Sequence, residues 1–375
     1  MLVINEKNIF FHDIISALSF SLDLTEGQPP GHSLRTCWIG MNIAQYLHLT
    51  IQQQHDLYYT LFLKDAGCTS NAARLCELYG SDERMVKNAY KSLDSQDKRL
   101  MAKFVLKYCG LGGTSLSKMK HLLHIVFKGG NISKELITAR CSRGANVARQ
   151  LGLNEPTAQG IYSLDEHYNG HGMSEGLKEK DIPLYSRIAL LAQVIDVFYT
   201  IAGKETCCQQ VNKRSKEWFD PDLVSYFNDL SLDNEFWEGL SAEDLEIRVT
   251  RFQPKNLAIP LTYELLDSVA EAFGQIIDAK SPFTAGHSKR VAQYAIKLAK
   301  AVNLTQDSQR ILYPAALLHD VGKLGVSNSI LDKAGSLDKD EWDIIKNTLN
   351  IRRKFFRVFC PFILWRKLLQ LIMSD

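Results

Sequence analysis

The chain repeats itself, and this limits what it can fold into more than any other feature. Gly286-His287-Ser288 reads like Gly31-His32-Ser33, an offset of 255 residues. Holding that offset without gaps from 286 to 322 gives 13 identities in 37 positions, where unrelated sequences would give about two or three. Among them are Arg35/Arg290, Leu49-Thr50/Leu304-Thr305, Leu57-Tyr58/Leu312-Tyr313, Leu63/Leu318, Asp65/Asp320 and Gly67/Gly322. A duplication requires two units of like architecture. The periodicity within the repeat is helical. Val291, Ala295, Leu298 and Val302 recur in steps of four, three and four with Lys289, Lys297 and Lys300 between them, which predicts an amphipathic helix with that stripe toward a core. Ile311, Leu312, Ala315 and Leu318 continue the pattern on a second helix. Asp338 with Glu341 reads as a helix start, followed by the stripe Trp342, Ile345 and Leu349. Alternating strand patterns are scarce, so the expected fold is all-α.

Other stretches fit the same reading. Asn154-Glu155-Pro156 is a helix entry, Glu166 to Pro183 is a polar, Gly-rich loop, and Arg187 to Ile201 is a strongly apolar helix. Turns are expected near Pro221, Pro254 and Pro260, with the second unit starting near Leu261. The 375 residues suffice for two or three domains, and a net charge of +2 gives no strong pull toward nucleic acid or membrane. The N-terminus has no basic region with an apolar stretch behind it, so no signal peptide is expected and the expected compartment is the cytoplasm. The eight cysteines form no C-x-x-C pair and read as reduced thiols.

Two features of the second copy carry chemistry: the lone His287 of GHS, and His319-Asp320-Val321-Gly322-Lys323 some thirty residues on. Histidine offers a neutral nitrogen to Fe, Mn or Zn, and aspartate a hard oxygen. Adjacent ligands at the end of one helix converge on one ion if a third approaches from a neighbouring helix. The following glycine is read as letting substrate approach, and the lysine as a donor to phosphate. A metal so held yields hydroxide near neutral pH and polarises a phosphoryl oxygen. An isolated His-Asp pair is more often a buried histidine bonded to its neighbour, so context decides.

That context is LLHDVGKLGV, preceded by GHSKRVA and followed by SILDKAGSLDKDEW, and it resembles the opening of an HD-GYP phosphodiesterase domain. In the first copy, Glu166 to Leu177, Ile182-Pro183-Leu184 and Arg187-Ile188-Ala189 resemble the later half of the same domain. The resemblance covers roughly residues 10–205 and 262–349. It implies two tandem HD-type helical bundles, with His287, His319 and Asp320 as metal ligands, and Asp320 and Lys323 as the catalytic pair, Lys323 holding phosphate. It further implies divalent metal ions such as Fe or Mn, two in an intact domain, and a cyclic dinucleotide substrate such as cyclic di-GMP or cyclic GMP-AMP. Neither DNA nor membrane is an expected partner, and a homodimer is compatible.

Each copy departs from the family pattern. In the first, His32, Asp65 and Asp196 survive, but the histidine of the HD pair is Lys64, the tandem histidines are Leu164 and Asp165, and the GYP triplet is Gly172-Met173-Ser174. A further family aspartate falls on Gln193, and Cys68 stands where the second copy has Lys323. A protonated lysine has no lone pair for a metal, so Lys64 beside Asp65 is expected to replace the metal by an internal ion pair. Ligand losses of this kind typically cost 10–100-fold each or more. This copy then serves either as a scaffold or as a regulatory pocket that holds a nucleotide. In the second copy the offset puts the counterparts of Glu166 and Asp196 near 421 and 451, past residue 375. The expected organisation is therefore 1–260 as a degenerate HD-GYP-like domain, 261–350 as the opening of a second, incomplete one, and 351–375 as an atypical apolar and basic tail. That tail reads as out-of-frame sequence, a membrane-surface helix or a core-packing helix. The expected function is a metal-dependent phosphodiesterase impaired in this chain. The alternative is a catalytically inactive nucleotide-binding or interaction protein. His121 and His124 read as part of a partly exposed basic helix, and His167 and His171 as solvated loop residues.

Overall fold

The computed structural model describes residues 10–94, 96–111 and 114–359. Among them no strand occurs, only the isolated bridges Phe10 to Pro260 and Ser215 to Phe219. The first unit holds α1 (Phe11–Thr25), α2 (His32–Gln45), α3 (Ile51–Leu63), α4 (Ala72–Tyr79), α5 (Glu83–Lys91), α6 (Lys98–Tyr108), α7 (Ser115–Gln150), α8 (Glu155–Tyr162), α9 (Leu184–Lys213), α10 (Pro221–Leu230), α11 (Asn234–Leu240) and α12 (Leu245–Thr250). The rest holds α13 (Tyr263–Asp278), α14 (His287–Ala301), α15 (Gln306–Leu318), α16 (Asn328–Leu331) and α17 (Lys339–Phe359). Residues 360–375, on which most of the tail reading rests, lie outside the described residues, as do the side chains of 350–359.

The offset of 255 carries α1, α2 and α3 onto α13, α14 and α15, and the 3₁₀ turn Cys68–Asn71 onto the turn Val321–Gly325. The same local chemistry starts matching helices. Thr50 Oγ1 accepts the Gln53 N–H at 3.3 Å to begin α3, and Thr305 Oγ1 accepts the Ser308 N–H at 3.2 Å to begin α15. Asp338 and Glu341 form the expected reciprocal cap of α17, at 2.9 and 2.8 Å. Pro221 is not a turn: it is the first residue of α10, where its missing N–H costs nothing, with Asp220 as the cap.

Two stripes only partly face as the sequence led one to expect. On α14 Val291 and Ala295 pack against the core as expected, beside the fully buried Ser288, Ala292 and Ala299, while Leu298 and Val302 are 66% and 67% exposed. On α17 Thr348 is buried, whereas Trp342 and Leu349 are exposed. Small side chains let α14 lie close to its neighbours, so the larger residues flank the contact.

One core runs through both units. α1 packs on the turn Val321–Gly325 and on α17, and reciprocally α13 packs on the turn Cys68–Asn71 and on α7. At this junction the Lys280 ammonium, 1% exposed, lies 2.8 Å from Glu83 Oε1, itself fully buried. Glu83 Oε2 also accepts from Ser327 Oγ at 2.8 Å and the Asn328 N–H at 3.1 Å. A separate small core around Leu78, Tyr79, Val86, Phe104 and Cys109 ties α4, α5 and α6 to α7.

Candidate metal centre and its eroded counterpart

In the second unit the backbone aims the histidine first. Gly286 takes a left-handed conformation, φ 66°, directly before α14, and Arg290 Nη1 donates to the Ala285 carbonyl across it at 2.9 Å. Asp278, at the end of α13, accepts the Ser288 hydroxyl at 2.7 Å and its N–H at 3.1 Å. His287 between these anchors faces the end of α15. There His319 Nδ1 donates to the Ala316 carbonyl at 2.8 Å, so that in the neutral ring the lone pair lies on Nε2. His319 Nε2 lies 3.2 Å and His287 Nε2 3.6 Å from Asp320 Oδ2, with the two rings 5.4 Å apart. All three ligand atoms fall within 4.8 Å of one another. Burial opposes ionisation of Asp320, but His319 and Lys323 outweigh it and hold the carboxyl below the usual range. Lys323 Nζ sits 2.7 Å from Asp320 Oδ2, and a cleft of about 310 Å³ opens beside the pair against Ile345, Lys346 and Thr348 of α17.

The first unit builds the same scaffold around a different centre. Gly31, φ 86°, precedes α2, and Asp23 accepts the Ser33 hydroxyl at 2.6 Å and the Gly31 N–H at 3.0 Å. His32 is fully buried. Its Nδ1–H donates to Asp196 Oδ2 at 2.6 Å, and Lys64 Nζ donates to its Nε2 at 3.1 Å. The lysine thus occupies the lone pair that a metal would need. Burial and the Lys64 charge bring His32 down to about 4, so the ring is neutral. Lys64 also bonds Asp65 Oδ2, and Arg35 Nε holds Asp196 Oδ1 at 2.5 Å. α5 adds two ammonium groups: Lys87 lies 3.0 Å from Glu26, and Lys91 lies 3.1 Å from Glu26 and 3.4 Å from Asp65. Burial works against ionising Glu26, yet these lysines hold it at about 2. Glu26, Asp65 and Cys68 form the second compact group of ligand types among the described residues. Burial pushes the Cys68 thiol up, so it keeps its proton, and the two carboxylates already face ammonium groups. Ammonium groups stand here in the place of an ion.

The later-half residues of this unit turn elsewhere. Glu166 Oε1 accepts the N–H groups of Glu175 and Gly176 at 2.6 and 3.0 Å and so closes the Gly-rich loop on itself. Asp165 pairs with Arg140. A cavity of about 160 Å³ lies over the ion pairs, lined by Lys91, Arg140, Gln193, Met173 and Trp218.

Two sequence readings need correction. Gly322 does not admit substrate: a Cβ there would stand 2.4 Å from the Thr348 carbonyl, and one at Gly67 would stand 1.9 Å from the Arg140 carbonyl. Each glycine lets a helix pack on the site turn. His167 is not solvated, for its ring stacks on Trp218 at 4.5 Å and faces the cavity. His124 lies exposed on α7, as expected, and His121 packs beside Gly80. The sequence reading missed Asp23 and Asp278, which fix the histidines. They are also related by 255, just upstream of the window compared, so extending it would have found them.

The HD domain family matches residues 284–370, which reaches into the segment set apart at 351–375. The chain is 46% identical over 334 residues to the 3′3′-cGAMP-specific phosphodiesterase 3 of Vibrio cholerae, covering 89% of this chain and 72% of that one. It is 30% identical over 148 residues to 3′3′-cGAMP-specific phosphodiesterase 1 of the same organism, 38% of this chain and 33% of that one. A crystal structure of a cyclic GMP-AMP specific phosphodiesterase from V. cholerae superposes with a TM-score of 0.71 at 41% identity, covering 96% of this chain and 82% of that one. The chain belongs to the HD-domain family of cyclic-dinucleotide phosphodiesterases, which are hydrolases.

Proposed function

We propose that the chain hydrolyses a phosphodiester bond of a cyclic GMP-AMP-type dinucleotide, with its chemistry confined to the second unit. The observation that carries this is the convergence of His287 Nε2, His319 Nε2 and Asp320 Oδ2 on one point, with His319 locked in the tautomer that leaves Nε2 free. Two nitrogens and one hard oxygen fit Fe, Mn or Zn, and three protein ligands with open positions is the pattern of a catalytic ion. Such an ion supplies a water acidic enough to act near neutral pH and polarises the phosphoryl oxygen. These residues would hold one ion; a second ion of the HD-GYP two-metal type would need further ligands. Lys323, 41% exposed at its side chain, would be free to turn from Asp320 toward a substrate phosphate were a cation to take the carboxylate. The Ala316 carbonyl keeps His319 oriented throughout. Substrate identity rests on the relatives, two of which are named as 3′3′-cGAMP-specific. The domain division at 260 and 350 is proposed on the same basis as the offset. The seven described cysteines are free thiols, which supports a cytoplasmic setting.

The second reading, a catalytically silent nucleotide-binding protein, draws on the first unit, where the ion pairs exclude metal. One experiment separates them. Metal content and hydrolysis of cyclic GMP-AMP are measured after loading with Mn or Fe. Near-stoichiometric metal and turnover are expected in the wild type, with both lost in His319→Ala and both kept in Asp65→Asn. A folded wild type without metal or turnover would leave binding as its role, and unchanged activity in His319→Ala would remove the metal assignment.

A further inference from the structure

The net charge of +2 conceals a steep polarity. Residues 98–134, which hold α6 and the first half of α7, contain eight Lys/Arg and no Asp/Glu. The remaining residues carry 36 Lys/Arg against 42 Asp/Glu. In the same segment the apolar residues face outward. Leu116, Met119, Leu123, Val126 and Phe127 follow one another at steps of three, four, three and one along α7, and are 82%, 56%, 51%, 75% and 81% exposed. At 100° per residue they span about a third of the helix circumference, with Lys120 and His124 exposed along one edge. The opposite side, through Leu122 and Ile125, packs on the small core around Phe104. Leu106 on α6 and Leu111 after it are also exposed, beside Lys103 and Lys107.

We propose that this lobe docks on an anionic lipid bilayer, with the α7 stripe in the headgroup region and the lysines on the anionic lipids. Both properties of the surface point to that partner. Exposed aliphatic and aromatic side chains flanked by lysines on one helical face are what an interfacial helix presents, and the uncompensated positive charge matches a negatively charged leaflet. A second copy of the chain would bring two segments without a single acidic residue face to face, and like charges oppose that. Nucleic acid would satisfy the charge but leave Leu116, Leu123 and Val126 in water. The expectation of no membrane contact rested on net charge, which averages over this asymmetry. The inference does not depend on the catalytic reading, because none of these residues touches His287, His319 or Asp320.

The full chain is tested by flotation with vesicles of phosphatidylcholine containing roughly one-third phosphatidylglycerol, and with phosphatidylcholine alone. Binding to the mixed vesicles only, weakened at about 0.5 M salt, is expected. Leu116→Gln/Leu123→Gln/Phe127→Gln and Lys103→Glu/Lys107→Glu/Lys120→Glu should each lower partitioning by about tenfold or more. Both sets are surface changes, so helical circular dichroism and metal content should match the wild type. A folded wild type that does not float, or variants that float equally well, would overturn the proposal. So would light scattering that shows a lipid-free dimer dissolved by the apolar variant, which would assign the stripe to a second copy. Salt-sensitive retention of duplex DNA without vesicle binding would likewise reject it.

Discussion

α2 and α14 are the same helix by sequence offset and meet different surroundings. Ile39 and Ile43 of α2 are fully buried, largely because α9, α10 and α12 lie across that side. Their counterparts on α14, Tyr294 and Leu298, are 61% and 66% exposed, and no described helix crosses them. The site turns show the converse: one geometry, met by different segments. Gly67 receives the carbonyl of Arg140 from α7, and Gly322 receives that of Thr348 from α17, although α17 corresponds by offset to α5. The duplication thus preserved the histidine anchor, the helix pair and the glycine turn, while the elements laid over them diverged. The charge on the aspartate follows the same division. Asp65 faces Lys64 and Lys91, and Asp320 faces two histidines and a single exposed lysine.

This comparison can be broken at three points. The largest effect is expected where the units are joined. Glu83→Ala leaves the Lys280 ammonium buried without its carboxylate, which typically costs about 3–5 kcal/mol. Chemical denaturation should show that loss, and pairing it with Lys280→Met should restore much of it. If Glu83→Ala alone changed nothing, the junction would not be a structural bond between the copies. Next come the equivalent positions 43 and 298. Ile43→Ala empties a fully buried site and should cost about 3 kcal/mol, whereas Leu298→Ala should stay within about 0.5 kcal/mol. Equal losses would mean that α14 is covered in solution.

The smallest effect concerns acid. Glu26 has its carboxyl lowered to about 2 in the folded chain, so its contribution is present above the ordinary glutamate value of about 4.5 and is lost as pH falls from there toward 2. Position 281, its counterpart, is a serine, so this contribution has no equivalent at the matching position of the second unit, whose own acid-sensitive carboxyl is Asp320. Glu26→Gln should flatten the pH dependence of unfolding over that window, by on the order of 1–3 kcal/mol. A slope unchanged in the variant would place the acid-sensitive group elsewhere.

Much of the fold and of the site could be read in advance. The helical period and the cap at Asp338 follow from local spacing, and the His287/His319/Asp320 set from the resemblance to the HD-GYP opening. The same resemblance marks the eroded set His32/Lys64/Asp65/Asp196, since a lysine in place of the family histidine is visible in the letters. What local spacing could not supply was what each face meets. The second half of the α14 stripe, Leu298 and Val302, was misassigned because a 3.6-residue period gives a helix its sides without naming its neighbours, and the small residues Ser288, Ala292 and Ala299 bury better than they advertise. Gly322 was given to substrate because glycine signals close approach without naming the group that approaches.

The sequence by itself determined the duplication and the all-α class, and its resemblance to a known family named the residues of both centres, because these depend on residue type and on separation along the chain. Only the tertiary structure decided that α5 delivers Lys87 and Lys91 to the first centre, that α1 and α13 each brace the other unit's turn, and that the α7 stripe is left facing outward. Those outcomes depend on contacts between residues distant in sequence. They are fixed by burial and charge pairing, which take effect only once the chain has closed on itself.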